Sequence, residues 1–216
     1  MRTLTEIFQV YGLPHRILAD NGACWGAAGS SRWPKLAVWL TRLGVGLTHG
    51  RFYHPQTQGK NERFNRTLEA EALRGRTLLD PQECQRAFDH MRCVYNEQRP
   101  HEGIGMATPV TRYAISPVKF PEVLSPIEYL SEDIVRVVNK AGTISYKSRL
   151  YIVGRGFVGE PVALRATNKD GLYEVYYCST RVGRINLRRP SFTQYESKDN
   201  RSGEDSRPRN NAGRKA

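Results

Sequence analysis

Residues 16–20 are RILAD, an arginine, three apolar residues and an acid, and the element this run forms fixes the fold class. So short an apolar run predicts a strand ending at Asp20. A glycine-rich loop, 22–31, follows it. Pro34 suits a first helical turn, and Trp33, Leu36, Ala37, Leu40 and Leu43 then recur on one face of a helix that Gly44 closes. Val45–Thr48 predicts a second strand. Strand, helix and strand at this length imply a parallel pair joined by a crossover, so the fold class of this part is α/β.

Upstream of this run, Leu4, Ile7, Phe8 and Tyr11 take the i, i+3, i+4, i+7 spacing of a helix that Gly12 and Pro14 stop. On the other side, HPQTQGKNERFNRTLEAE (54–71) begins as a polar loop and turns into a helix. Asn61 to about Arg74 and Pro81 to about Asn96 lack internal proline and glycine and predict two helices, with Asp80 as the N-cap of the second. Prolines at 100, 109, 117, 121 and 126 then mark linker composition. From Asp133 to Leu187 the chain changes to six short β runs, DIVRVV, TISYK, RLYIV, PVALRA, LYEVYYC and RVGRINL, which predict a small β-barrel or half-open sheet. Beyond 190 the polar composition predicts a disordered tail. The expected division is 1–113 for the first domain, 114–130 for a linker, 131–190 for a small barrel-like domain and 191–216 for the tail.

With 33 basic against 21 acidic residues the chain carries a net charge of +12, which makes a polyanion its natural partner. The tail holds 6 basic and 4 acidic residues, so most of that charge lies outside it. No run of about 18 apolar residues is present, and the N-terminal sequence lacks a signal peptide's apolar core, so a cytoplasmic, non-membrane protein is expected. Four cysteines, at 24, 84, 93 and 178, form no C-x-x-C pair and read as reduced and structural.

Two carboxylates stand where chemistry would use them. Asp20 ends a predicted strand, and ligand sites of open α/β sheets form at the carboxyl ends of strands. Glu62 opens the helix that follows the next strand. Two acids over one sheet edge repel each other unless a cation neutralises them, and an oxygen-only site suits Mg²⁺. Lys60, Arg63 and Arg66 flank Glu62 and would grip phosphates. A blander reading stays open beside this one. An Asp before Asn-Gly is a common turn former, a Glu in a first helical turn serves the macrodipole, and the three cations then form a solvated face. His54 and Gln56 read as loop hydrogen-bonders, and Tyr146, Tyr151, Tyr173, Tyr176 and Tyr177 read more readily as core than as stacking platforms.

ILADNG around Asp20, HGRFYHPQTQGKNERFNRTLEAE around Glu62, and NEQRPHEGIGMATPVTRY (96–113) closely resemble bacterial insertion-sequence transposases with a retroviral-type integrase core. The resemblance runs through nearly all of residues 1–190. It implies a partial RNase H-like catalytic domain with an Asp, Asp, Glu triad, Mg²⁺ or Mn²⁺ as cofactor, and strand transfer on transposon ends and target DNA. Catalytic and metal roles fall on Asp20, matching the second Asp, and on Glu62, and DNA contacts on Lys60, Arg63 and Arg66. The β runs from 133 to 187 look like the family's C-terminal β domain. A first triad Asp belongs upstream of Asp20, where Glu6 is the only acid. The chain is therefore expected to correspond to the C-terminal portion of such a transposase, weak or inactive alone, and to oligomerise with the full-length protein. The competing expectation is a non-catalytic DNA-binding or inhibitory remnant.

Overall fold

The computed structural model describes residues 1–20, 22, 24–26, 33–50, 59–77, 80–188 and 191–194. They fall into two units, Met1–His15 with Gly50–Leu124 and Arg16–His49 with Ser125–Ala216.

Among its described residues the first unit contains helices and no strands. Helix α1 (Arg2–Tyr11) buries Phe8 and ends at Gly12, whose φ of 74° and close neighbours both exclude a side chain. A Cβ there would stand 2.8 Å from the carbonyl oxygens of Ser116 and Val118. Hydrogen bonds from Leu13 N to Val118 O (2.7 Å) and from Ser116 Oγ to Leu13 O (2.6 Å) tie the proline-rich segment to this corner. Two further helices each end in a π-helical turn: α3 (Gly59–Leu68) continues into Glu69–Leu73, and α4 (Pro81–Cys93) into Val94–Gln98. Asp80 caps α4 as its sequence predicts, its carboxylate accepting from Glu83 N at 2.8 Å with Pro81 at the first helical position. Ala72, Ala87 and Met91 form the buried seam, with Phe64, Leu68, Phe88 and Tyr95 packed around it.

The second unit opens with the expected crossover. Strand β1 (Arg16–Ala19) pairs in parallel with β2 (Gly46–His49) through α2 (Lys35–Arg42), in the register Arg16 to Gly46 and Ala19 to His49. Leu40 is fully buried on the apolar face of α2. All six β runs then form strands: β3 (Ile134–Val137), β4 (Thr143–Tyr146), β5 (Arg149–Ile152), β6 (Pro161–Ala166), β7 (Leu172–Tyr177) and β8 (Thr180–Asn186). A seventh, β9 (Ser191–Gln194), corrects the expected start of the disordered tail at 191. Pairing of Asn186 with Ser191 and Gly183 with Gln194 carries the sheet across a boundary that composition alone places earlier. The remainder of that expected tail, 195–216, lies outside the described residues.

Hydrogen bonding gives an antiparallel five-stranded sheet in the order β3-β6-β7-β8-β9 and a separate β4-β5 hairpin. They share one core: Ile144, Tyr146, Tyr151 and Val153 from the hairpin meet Val162, Leu164, Val175, Tyr177, Val182 and Ile185. The crossover joins the same core through Val38, and the Trp33 ring lies 5.5 Å from that of Phe157. Residues 16–49 thus share a unit with the β-rich segment, a grouping different from the sequence segments 1–113 and 131–190. All four cysteines are free.

Candidate functional site

Asp20 directly follows β1, and the parallel register sets it at the carboxyl end of the strand pair, one residue beyond the Ala19–His49 match. It is exposed. Its Oδ1 accepts a hydrogen bond from Gly22 N at 2.9 Å, so the turn-forming role is realised. A Cβ on residue 22 would stand 2.8 Å from the same oxygen, which explains a glycine two positions after the acid. One of the two carboxylate oxygens is engaged by this bond. His49, the last residue of β2, places Nε2 3.1 Å from Trp25 O and so ties the loop after Asp20 to the second strand.

Glu62 lies in the first turn of α3 and is exposed, where the helix N-terminus favours a carboxylate. Asp20 belongs to the second unit and Glu62 to the first. Glu6, the one acid before Asp20, is on α1 and pairs with Arg2 at 3.1 Å, an i, i+4 surface pair. Among the described residues no three His, Cys, Asp or Glu side chains come together as a metal site. The donor chemistry of Asp20 and Glu62 nonetheless fits a hard cation. Both offer only carboxylate oxygens, the ligands Mg²⁺ and Mn²⁺ take.

Lys60, Arg63 and Arg66 are all exposed, and the helix sorts them. Lys60 and Arg63, three residues apart, line a groove of about 2030 Å³ in the first unit, shared with Arg92, Arg112, Tyr11 and Tyr95. Arg66, four residues after Glu62, stands over that carboxylate's face of α3 instead. The loop candidates His54 and Gln56 lie outside the described residues.

Several contributors in this unit were not singled out by residue type. Glu71 accepts from Arg99 Nη2 at 2.7 Å, and that guanidinium holds the Glu71 carboxyl below its ordinary range. The Arg99 guanidinium also lies 5.7 Å from the Tyr95 ring centre. The signal for these contacts was the NEQRPH run, legible as a motif without showing what its side chains touch. In the second unit Tyr146, Tyr151 and Tyr177 are buried, and Tyr146 meets Tyr173 edge-on at 5.1 Å, so the core reading of these tyrosines holds.

Two family models match the chain. Residues 43–109 match the integrase core domain and residues 133–193 match the C-terminal domain of IS481 family transposases. The chain is similar to insertion-sequence transposases with an integrase core. An insertion element IS136 uncharacterized protein of Agrobacterium fabrum is 30% identical over 111 residues, 50% of this chain and 54% of that protein. Its counterpart from Agrobacterium tumefaciens gives the same figures. The chain thus spans about half the length of the curated relatives it matches. The integrase-core match contains Glu62, Lys60, Arg63 and Arg66, and Asp20 precedes it. The transposase C-terminal match covers β3 through most of β9. Among the described residues no helix is long and apolar enough to cross a membrane.

Proposed function

We propose that this chain supplies two carboxylates, Asp20 and Glu62, to a divalent-metal site for DNA strand transfer in transposition. The observation that carries the reading is topological. Asp20 stands exposed at the carboxyl end of a parallel strand pair, the position where α/β sheets hold ligands, and Glu62 opens the helix after the second strand of that pair. The matched integrase-core segment, which contains Glu62, supports it. On this reading the strand pair is part of an RNase H-like sheet, and the β-rich segment is a small barrel in which the hairpin closes the five-stranded sheet. Approach of β5 to β9 and of β3 to β4 supports that closure.

A bound Mg²⁺ or Mn²⁺ would supply an activated water or 3′-hydroxyl and stabilise the leaving oxygen. Asp20 and Glu62 would hold it by one or two oxygens each. Lys60, Arg63 and Arg66 would grip the phosphate backbone, Arg66 from beside Glu62. Two carboxylates are one short of a triad, and Glu6, paired on α1, does not serve as the third. On this reading full-length transposase supplies the third ligand, and the partners are DNA and full-length transposase, in the cytoplasm. The test is Mg²⁺-dependent nicking of transposon-end DNA by this chain together with the complementary part of a transposase. Abolition by Asp20→Asn or by Glu62→Gln is expected. Full nicking by both variants contradicts the reading.

The second reading, a non-catalytic DNA-binding or inhibitory remnant, is favoured by the cationic groove of Lys60, Arg63, Arg92 and Arg112. It predicts salt-sensitive DNA binding that both acid substitutions leave intact, with no nicking under any complementation.

A further inference from the structure

We propose that the Arg-Pro-His segment 99–101 is a positioning clamp for the helix that carries Glu62, an inference that rests on the metal reading of that residue. The argument starts from the face of α3 opposite the acid. At about 100° per residue, Phe64 and Leu68 lie roughly 200–240° around the helix from Glu62. Both pack on the seam formed by Ala72, Ala87 and Met91, which leaves Glu62 directed outward. What holds that buried face fixes where the carboxylate aims.

Three contacts hold it, all from the end of α4 and the motif after it. The Tyr95 ring meets Phe64 edge-on at 5.2 Å. His101 also meets Tyr95, with ring centres 4.5 Å apart and Nε2 3.2 Å from Tyr95 O. Arg99 reaches across to Glu71 at 2.7 Å. Pro100 separates Arg99 from His101, and Arg99 N closes the π-helical turn on Val94 O at 2.9 Å. A bridge between His101 and Ala107, with bonds of 3.0 Å from His101 N to Ala107 O and 2.9 Å from Met106 N to His101 O, fixes the histidine itself.

The two π-helical turns give the clamp its logic. A π turn takes one more residue than an α turn and so rotates everything beyond it, and such insertions recur at functional sites. Glu71 sits inside the π turn of α3, and Arg99 follows immediately on that of α4. The Glu71–Arg99 bond thus links the two π-helical turns, and on this proposal it fixes the roll of α3. The roles are positioning roles, because none of Tyr95, Arg99 or His101 is a ligand in the proposed site.

The test compares the intact chain with Arg99→Ala, with the swap of Glu71→Arg and Arg99→Glu, and with Glu62→Gln, each mixed with the complementary part of a transposase. Two quantities are read: uptake of Mn²⁺ by electron paramagnetic resonance, and hydrogen exchange of the amides from Phe64 to Leu73. Arg99→Ala is expected to speed that exchange by about tenfold and to weaken Mn²⁺ uptake about fivefold, with amides of β6–β8 unchanged. The swap is expected to restore both to within about twofold. Glu71→Gln, isosteric with the native side chain, carries the same expectation at smaller size and serves where Arg99→Ala fails to fold. Uptake that responds to Glu62→Gln but not to Arg99→Ala or Glu71→Gln overturns the clamp and leaves the metal reading standing. Uptake indifferent to Glu62→Gln overturns the metal reading and the positioning role with it.

Discussion

Arg165 grips Asp133 through two parallel hydrogen bonds, Nε to Oδ1 at 2.9 Å and Nη2 to Oδ2 at 2.8 Å, while its guanidinium stacks 4.3 Å from the centre of the Tyr176 ring. The Asp133 side chain is fully buried and that of Arg165 is 35% exposed. The bidentate pair holds the Asp133 carboxyl below its ordinary range. A carboxyl lowered on folding stabilises the native state above its unfolded pKa, and that contribution fades as pH falls through the lowered value. Asp133→Asn is expected to cost about 1–3 kcal/mol at neutral pH, because the exposed end of Arg165 softens the loss of a buried partner. Urea unfolding from pH 7 down to pH 2 checks this: the substituted chain should lose less stability over the acid limb than the native one.

Gly156 sits in the 3₁₀ turn Arg155–Phe157, where a Cβ would stand 2.1 Å from Trp33 O. Backbone cannot yield as a flexible side-chain end does. Gly156→Ala is therefore expected to destabilise the second unit by about 3 kcal/mol, at the upper end of overpacking costs. Thermal unfolding followed by tryptophan fluorescence measures it, and a change below about 0.5 kcal/mol would contradict the close approach of α2 to this turn.

The β4-β5 hairpin turns through Lys147 (φ 46°) and Ser148 (φ 57°), both left-handed and neither glycine. Such turns normally take Asn-Gly, because a Cβ in this region costs about 1–2 kcal/mol. Lys147 is partly repaid by its ammonium lying 5.6 Å from the Tyr146 ring and 5.9 Å from that of Tyr173. Ser148→Gly should stabilise by about 0.5–1 kcal/mol, with part of the relief offset by a more flexible unfolded chain. A lowered melting temperature would speak against the turn geometry.

Tyr129 donates to Pro161 O at 2.7 Å and accepts from Cys178 N at 3.3 Å, and burial pushes its hydroxyl up to about 12. A raised folded pKa means this stabilisation is complete below the ordinary tyrosine value and is lost as pH climbs from there through the folded one. Tyr129→Phe should flatten the alkaline limb of stability between about pH 10 and 12 and cost about 1 kcal/mol at neutral pH. Alkaline difference absorbance at the tyrosinate band, beside urea unfolding, reads both.

Most of the framework was legible in local sequence. The parallel crossover followed from RILAD, an apolar helix closed by Gly44 and VGLT, and all six β runs became strands because alternation and turn residues agree within each. The Asp80 cap was legible for the same reason. What escaped depended on distant partners. Nothing local tells Val38 and Trp33 that they will join a core built a hundred residues later. The π-helical turns were equally hidden, since one extra residue per turn changes no composition. Strand β9 was missed where a polar tail swamps four residues that pair with β8. Of the site, residue types and chain order were legible. The division of the three cations into a groove pair and Arg66 required the helix.

Metal-directed cleavage is the sharpest test of the proposal that Asp20 and Glu62 hold one divalent ion. Fe²⁺ with ascorbate and hydrogen peroxide in place of Mg²⁺ generates hydroxyl radicals that cut the backbone beside the ion. Two sets of cuts are predicted, one near residue 20 and one near residue 62, both lost in Asp20→Asn and both lost in Glu62→Gln. Cuts at a single segment, or at both with each responding only to its own substitution, would contradict the shared site.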